Sequence, residues 1–110
     1  MSTAEDLREI ALSLPEASEK LAWQMPTFRV RGKIFAVLNP RHGPGVRISR
    51  DERAGLVAAE PDKFYWTPHD DNYDLMRLHL AAIGPDELRE LVTDAWRLVA
   101  GPRLAARYDV

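Results

Sequence analysis

Thr27-Phe28-Arg29-Val30-Arg31-Gly32-Lys33-Ile34-Phe35-Ala36-Val37-Leu38 is the stretch whose reading decides the fold. From Thr27 to Arg31, Phe28 and Val30 alternate with Arg29 and Arg31, the period of a half-buried strand. Ile34 to Leu38 is a second, more apolar strand. A lone glycine between two such runs predicts a tight hairpin with Gly32 at positive φ, where a residue without Cβ fits best. A two-residue loop at Arg31-Gly32 or at Gly32-Lys33 gives the same facing. By that parity Phe28, Val30, Phe35 and Val37 share one side, and Arg29 and Arg31 share the other with Ala36.

Downstream, Asn39 to Gly45 holds two prolines and two glycines and reads as a loop. Val46 to Ser49 alternates again, with Val46 and Ile48 inward and Arg47 outward. Ser49 and Glu52 form an S-x-x-E capping signal opening a short helix to about Ala59, with Leu56 and Val57 on the core side. Pro61 ends it. Phe64 to Thr67 reads as a short strand, and Leu75 to Leu80 as a longer one with Met76, Leu78 and Leu80 inward and Arg77 and His79 outward. Gly84-Pro85 opens a long helix striped by Leu88, Leu91, Val92, Ala95 and Val99, and Gly101-Pro102 closes it. Upstream, Leu7, Ile10, Ala11 and Leu14 mark a helix from about Ala4 to Leu14, capped by Thr3 and stopped by Pro15. Strands joined by short turns, with helices before, between and after, predict an α+β fold: an antiparallel β-sheet packed on one face by helices.

At 110 residues the chain fits one domain, 1–110, able to close one core without crosslinks. The absence of cysteine excludes a disulfide framework and a Cys-based zinc site, and fits a reducing cytoplasm. Glu5, Asp6 and Glu9 in the first ten residues argue against a signal peptide, and no apolar run is long enough to span a membrane. The net charge of -2 disfavours a general polyanion binder. Charge is nonetheless segregated. From Thr27 to Arg53 there are seven basic residues, Arg29, Arg31, Lys33, Arg41, Arg47, Arg50 and Arg53, opposed only by Asp51 and Glu52.

The outward residues of the strands are the candidate nucleic-acid-binding set: Arg29, Arg31, Lys33, Arg47 and Arg77, with His79 as an adjunct. Guanidinium groups on a rigid sheet suit phosphate because each makes bidentate hydrogen bonds. An ordinary solvated face is the competing reading. His69 with Asp70, Asp71 and Asp74 is the only cluster with metal-ligand chemistry, but it has neither an EF-hand spacing nor H-E-x-x-H, and reads as a solvated turn without metal. No serine sits in a nucleophile elbow, and the glycines form no phosphate loop, so no catalytic residue and no cofactor are expected. Trp23 and Trp66, at strand margins, could line a pocket together with His69.

Two stretches are recognisable. Leu12-Ser13-Leu14-Pro15-Glu16-Ala17-Ser18-Glu19 is followed by Met25-Pro26-Thr27-Phe28-Arg29-Val30-Arg31-Gly32-Lys33-Ile34-Phe35-Ala36. Further on come Asp51-Glu52-Arg53, Pro61-Asp62-Lys63-Phe64, Trp66-Thr67-Pro68-His69 and the helix from Leu88 to Ala100. This ordered set resembles the MmcQ/YjbR-like family over nearly the whole chain. The resemblance implies a YjbR or CyaY-like α+β fold, in a family commonly described as DNA-binding and without established catalytic residues. The chain departs from the family at His69-Asp70-Asp71-Asn72-Tyr73-Asp74, where relatives often carry His-Tyr and Gly-Tyr-Pro; the added acid would repel phosphate there. The expectation is a DNA-binding module using the arginine face. The alternative is a small-molecule or protein-interaction module with a pocket near Trp23, Trp66 and His69.

Overall fold

The computed structural model describes residues 1–108. Thr3 starts helix α1 (Ala4–Ser13): its hydroxyl accepts from the Asp6 N–H while the Asp6 carboxylate accepts from the Thr3 N–H. This capping box satisfies two N–H groups that the first turn would leave unpaired. Four strands follow, β1 (Ala17–Ala22), β2 (Met25–Val30), β3 (Lys33–Asn39) and β4 (Gly43–Arg47), then helix α2 (Arg50–Ala59). The remainder is β5 (Phe64–Tyr65), β6 (Leu75–Leu78), α3 (Pro85–Ala100) and α4 (Pro102–Tyr108). The strands form one antiparallel sheet in the order β1-β2-β3-β4-β6-β5.

Helices α1 and α3 pack on each other and on one face of this sheet, with α3 across β3 and β4. The stripe Leu7, Ile10, Ala11 and Leu14 meets Leu88, Val92, Ala95 and the fully buried Trp96 over Phe28, Val30, Phe35, Val46 and Met76. Each large side chain removed from water contributes about 1.5–3 kcal/mol. Trp96 also anchors the first turn: its Nε1 donates to the Pro15 carbonyl at 3.0 Å. The α+β architecture, with helices on one face, is as the sequence predicts.

The hairpin at Arg31-Gly32 is two residues long. Val30 pairs with Lys33, and Arg31 (φ 53°) and Gly32 (φ 79°) are both left-handed. That is the geometry whose twist suits a tight hairpin.

Several expectations are corrected. Val37 does not share a face with Phe28. Pairing runs Phe28 to Ala36 and then Arg29 to Ile34, one step on β2 against two on β3. The extra residue is Phe35, a β-bulge that lets Phe35 and Ala36 both enter the core. Val37 is thereby turned to the opposite face, which Ile34 already occupies by alternation, and pairs there with Thr27 and Gly45. The 39–45 loop is shorter than expected, because Gly43 to Gly45 extend β4. Pro44 is tolerated since it pairs only with Leu38, beyond the last β4–β6 pair at Gly45. Strand β6 ends at Leu78, and Leu80 lies in a 3-10 turn. Strand β1 and helix α4 had no sequence signal. Ala-Ser-Glu-Lys-Leu-Ala is poor in strand formers and is held as an exposed edge by pairing with β2.

Candidate functional site

The face of the sheet away from α1 and α3 carries the chemistry. Register places Thr27, Val37, Gly45 and Arg77 in one row across four strands, with Arg47 beside Leu75 in the next. Segment 66–74 folds over one side of this face. What holds it is an internal ion pair. Arg77 is only 2% exposed and Asp70 is fully buried. Arg77 Nε donates to Asp70 Oδ2 at 2.9 Å and Nη2 to Oδ1 at 2.8 Å, a bidentate fork. The third guanidinium nitrogen donates to the Gly43 carbonyl at 2.9 Å. Thr67 adds its N–H and hydroxyl to Asp70 Oδ2 at 3.1 and 3.2 Å. Burial alone would push the Asp70 carboxyl up, but the Arg77 guanidinium and Thr67 outweigh it and hold the group below its ordinary value.

Glycines make room for this arrangement. A Cβ on Gly45 would stand 3.1 Å from Leu75 Cδ2 and 3.2 Å from Arg77 Nη1. At Gly43 the backbone is left-handed, φ 94°, and Tyr65 Oη passes close by to donate to the His42 carbonyl at 2.9 Å. A second clamp comes from α2. Buried Arg53 donates Nη1 to the carbonyls of Asp70, Tyr73 and Leu75 at 3.0, 2.9 and 2.9 Å, and its guanidinium lies 4.5 Å over the Trp66 ring. Segment 66–74 is thus fixed from both sides.

Between this segment and strands β2 to β4 lies an open cleft of about 270 Å³. Met25, Ile34, Val37 and Leu75 form its apolar floor, and Asn39, Arg47, His69 and Tyr73 its polar rim. His69 is exposed and stacks on His42, with ring centres 4.9 Å apart and planes 9° from parallel; Tyr73 leans on His69 at 5.8 Å. Asn39 Oδ1 accepts from the Arg41 and His42 N–H groups and so fixes the turn beneath them. Arg47 is exposed and has no ion-pair partner among the described residues.

The predicted arginine face is therefore only partly assembled. Arg77, expected outward and available, is buried and committed to Asp70, because the loop that the sequence reads as a solvated turn folds onto it. Arg31 sits on the hairpin turn and pairs with Glu16 at 3.3 Å. Lys33 stands opposite Val30 and lines a groove with Leu98 and Val99 of α3, on the helix side. Arg29 is half-buried over Thr27, whose hydroxyl accepts from its Nε at 3.1 Å. Arg29 and Arg47 remain on the open face, joined by Lys20 of β1, which pairs with Thr27.

The alternative pocket is also redrawn. Of Trp23, Trp66 and His69, only His69 lines the cleft. Trp66 is held between Arg53 and Asp71, the latter accepting from its Nε1 at 3.1 Å. Trp23 is 97% exposed at the β1–β2 turn. The floor residues Met25, Ile34, Val37 and Leu75 had been missed. Their apolar side chains read as core residues, yet alternation with Phe35 already turns Ile34 outward, and the bulge turns Val37 there too.

Fold and site together define an α+β protein with a helix-backed antiparallel sheet whose second face is partly open. The chain belongs to the YjbR family, whose model matches residues 12–98. It is 31% identical to the uncharacterized proteins Rv2570 of Mycobacterium tuberculosis and Mb2600 of Mycobacterium bovis, over 98% of this chain and 96% of each relative. The crystal structure of protein DR2400 from Deinococcus radiodurans, with a DUF419 domain, matches at a TM-score of 0.77 and 18% identity. That likeness, over 94% of this chain and 82% of the other, is one of fold. Among the described residues no helix is long and apolar enough to cross a membrane.

Proposed function

We propose that this chain is a binding module for a small amphipathic anion held in the open-face cleft. The acid group docks on Arg47, and a flat apolar body lies across Ile34, Val37 and Leu75. The observation that carries this is an apolar floor beside an exposed arginine that forms no ion pair among the described residues. A cleft of about 270 Å³ suits a compact ligand. Binding is favoured over catalysis because Asp70, the carboxylate in the cleft wall, is wholly engaged by Arg77 and Thr67.

The test uses 1-anilinonaphthalene-8-sulfonate, a flat apolar body bearing one anion, followed by amide NMR shifts. Shifts should centre on Ile34, Val37, Tyr73 and Leu75. Arg47→Glu should weaken binding about tenfold or more, as loss of a charge-assisted contact does. Shifts confined to the helical side, or indifference to Arg47→Glu, would reject the proposal.

A nucleic-acid reading keeps one favourable observation: Lys20, Arg29 and Arg47 share the open face. Three phosphate contacts would give a log–log salt slope of about -3 for duplex DNA, and Arg29→Glu with Arg47→Glu should abolish binding. Fluorescence anisotropy with duplex and single-stranded oligonucleotides at low salt decides it; no binding there removes this reading.

A further inference from the structure

We infer that Trp23, at the tip of the β1–β2 hairpin, is a ligand-contacting residue that closes the open-face cleft over the π face of its occupant. This deepens the reading above and rests on it: the ligand class becomes an aromatic or otherwise planar conjugated anion. Three observations converge. Trp23 is 97% exposed, so the largest side chain type in the protein packs on nothing at this position. Its backbone is left-handed, φ 54°, as is that of Gln24, φ 62°. A two-residue turn between Ala22 and Met25 demands that geometry, which glycine or asparagine fills with less strain than tryptophan. A bulky residue kept at a strained, solvent-facing position makes no contribution to the fold that the structure shows, which points to function.

The third observation is place. Met25, two residues on, lines the cleft floor, and the turn lies at the same end of the sheet as the Asn39–His42 turn. Arg47 marks the far end. Arg47 lies four residues along β4 from Gly43, about 13 Å of extended strand. An anion bound at Arg47 would therefore extend its ring system toward Met25, where the Trp23 indole can cover it. The imidazole of His69 flanks the same volume.

Trp23→Ala and Trp23→Gly are compared with the unmodified chain and with Arg47→Glu, using 1-anilinonaphthalene-8-sulfonate as the probe. Trp23→Ala should weaken probe binding about three- to tenfold, the usual worth of one aromatic contact. Trp23→Gly should weaken it equally while leaving Tm unchanged or raised, because glycine relieves the left-handed strain. Trp23→Phe should recover most of the affinity. Binding that depends on Arg47 but not on Trp23 overturns this inference and leaves the cleft reading standing. Binding insensitive to Arg47 overturns both. A loss of Tm in Trp23→Gly would show a structural role and likewise overturn it.

Discussion

Replacing Asp70 by leucine removes the carboxylate that accepts four hydrogen bonds in the cleft wall, two from Arg77 and two from Thr67. The guanidinium left behind is 2% exposed and keeps only its bond to the Gly43 carbonyl. Breaking a buried ion pair on one side costs about 3–5 kcal/mol, because an uncompensated charge stays out of water. For a small domain with roughly 5–15 kcal/mol in total, that approaches unfolding. Arg77→Met alone should cost a comparable amount by stranding Asp70. The double variant Asp70→Leu with Arg77→Met removes both charges and should recover most of the loss, since apolar replacement of a buried pair is often neutral or better. Urea unfolding followed by circular dichroism gives the four free energies and, by a double-mutant cycle, a coupling of about 2 kcal/mol or more. Single costs below about 1 kcal/mol that simply add would refute the claim that this pair closes segment 66–74 onto the sheet.

Acid titration probes the same group. Asp70 has a folded pKa below its unfolded value, so its stabilisation is complete above about pH 4 and is lost as pH falls through the folded value. Unfolding free energy should therefore drop on acidification, and Asp70→Asn should be less stable at neutral pH with a shallower acid limb. Gly43→Ala should destabilise by about 1–3 kcal/mol in the same urea assay, from left-handed strain and collision with Tyr65. A cost near zero would show that the Tyr65 bond to His42 is dispensable. Ser49→Ala should cost about 1 kcal/mol, because the Ser49 hydroxyl accepts from the Glu52 N–H at 3.2 Å to start α2.

By itself the sequence determined the elements whose physics is local. The apolar stripes of α1 and α3, the Thr3 and Ser49 caps and the glycine at the Arg31-Gly32 turn each follow from a spacing of a few residues. With those elements came the antiparallel, helix-backed sheet and the resemblance to the YjbR family. The open face was legible only as a surplus of arginine, because alternation tells that two residues are on opposite sides but not whether the pairing stays in step. The bulge at Phe35 breaks that step: it moves Val37 from core candidate to the cleft floor beside Ile34 and puts Ala36 into the core instead. Tertiary structure alone also decided the fate of the charges. Asp70 and Arg77 are seven residues apart and look like solvated surface, yet a fold that brings segment 66–74 over the sheet buries them together. Edge strand β1 was invisible for a related reason: its stability comes from hydrogen bonds to β2 and not from its own side chains. Periodicity records what each segment wants to bury, whereas register and loop closure, which depend on partners distant in the chain, decide what it meets.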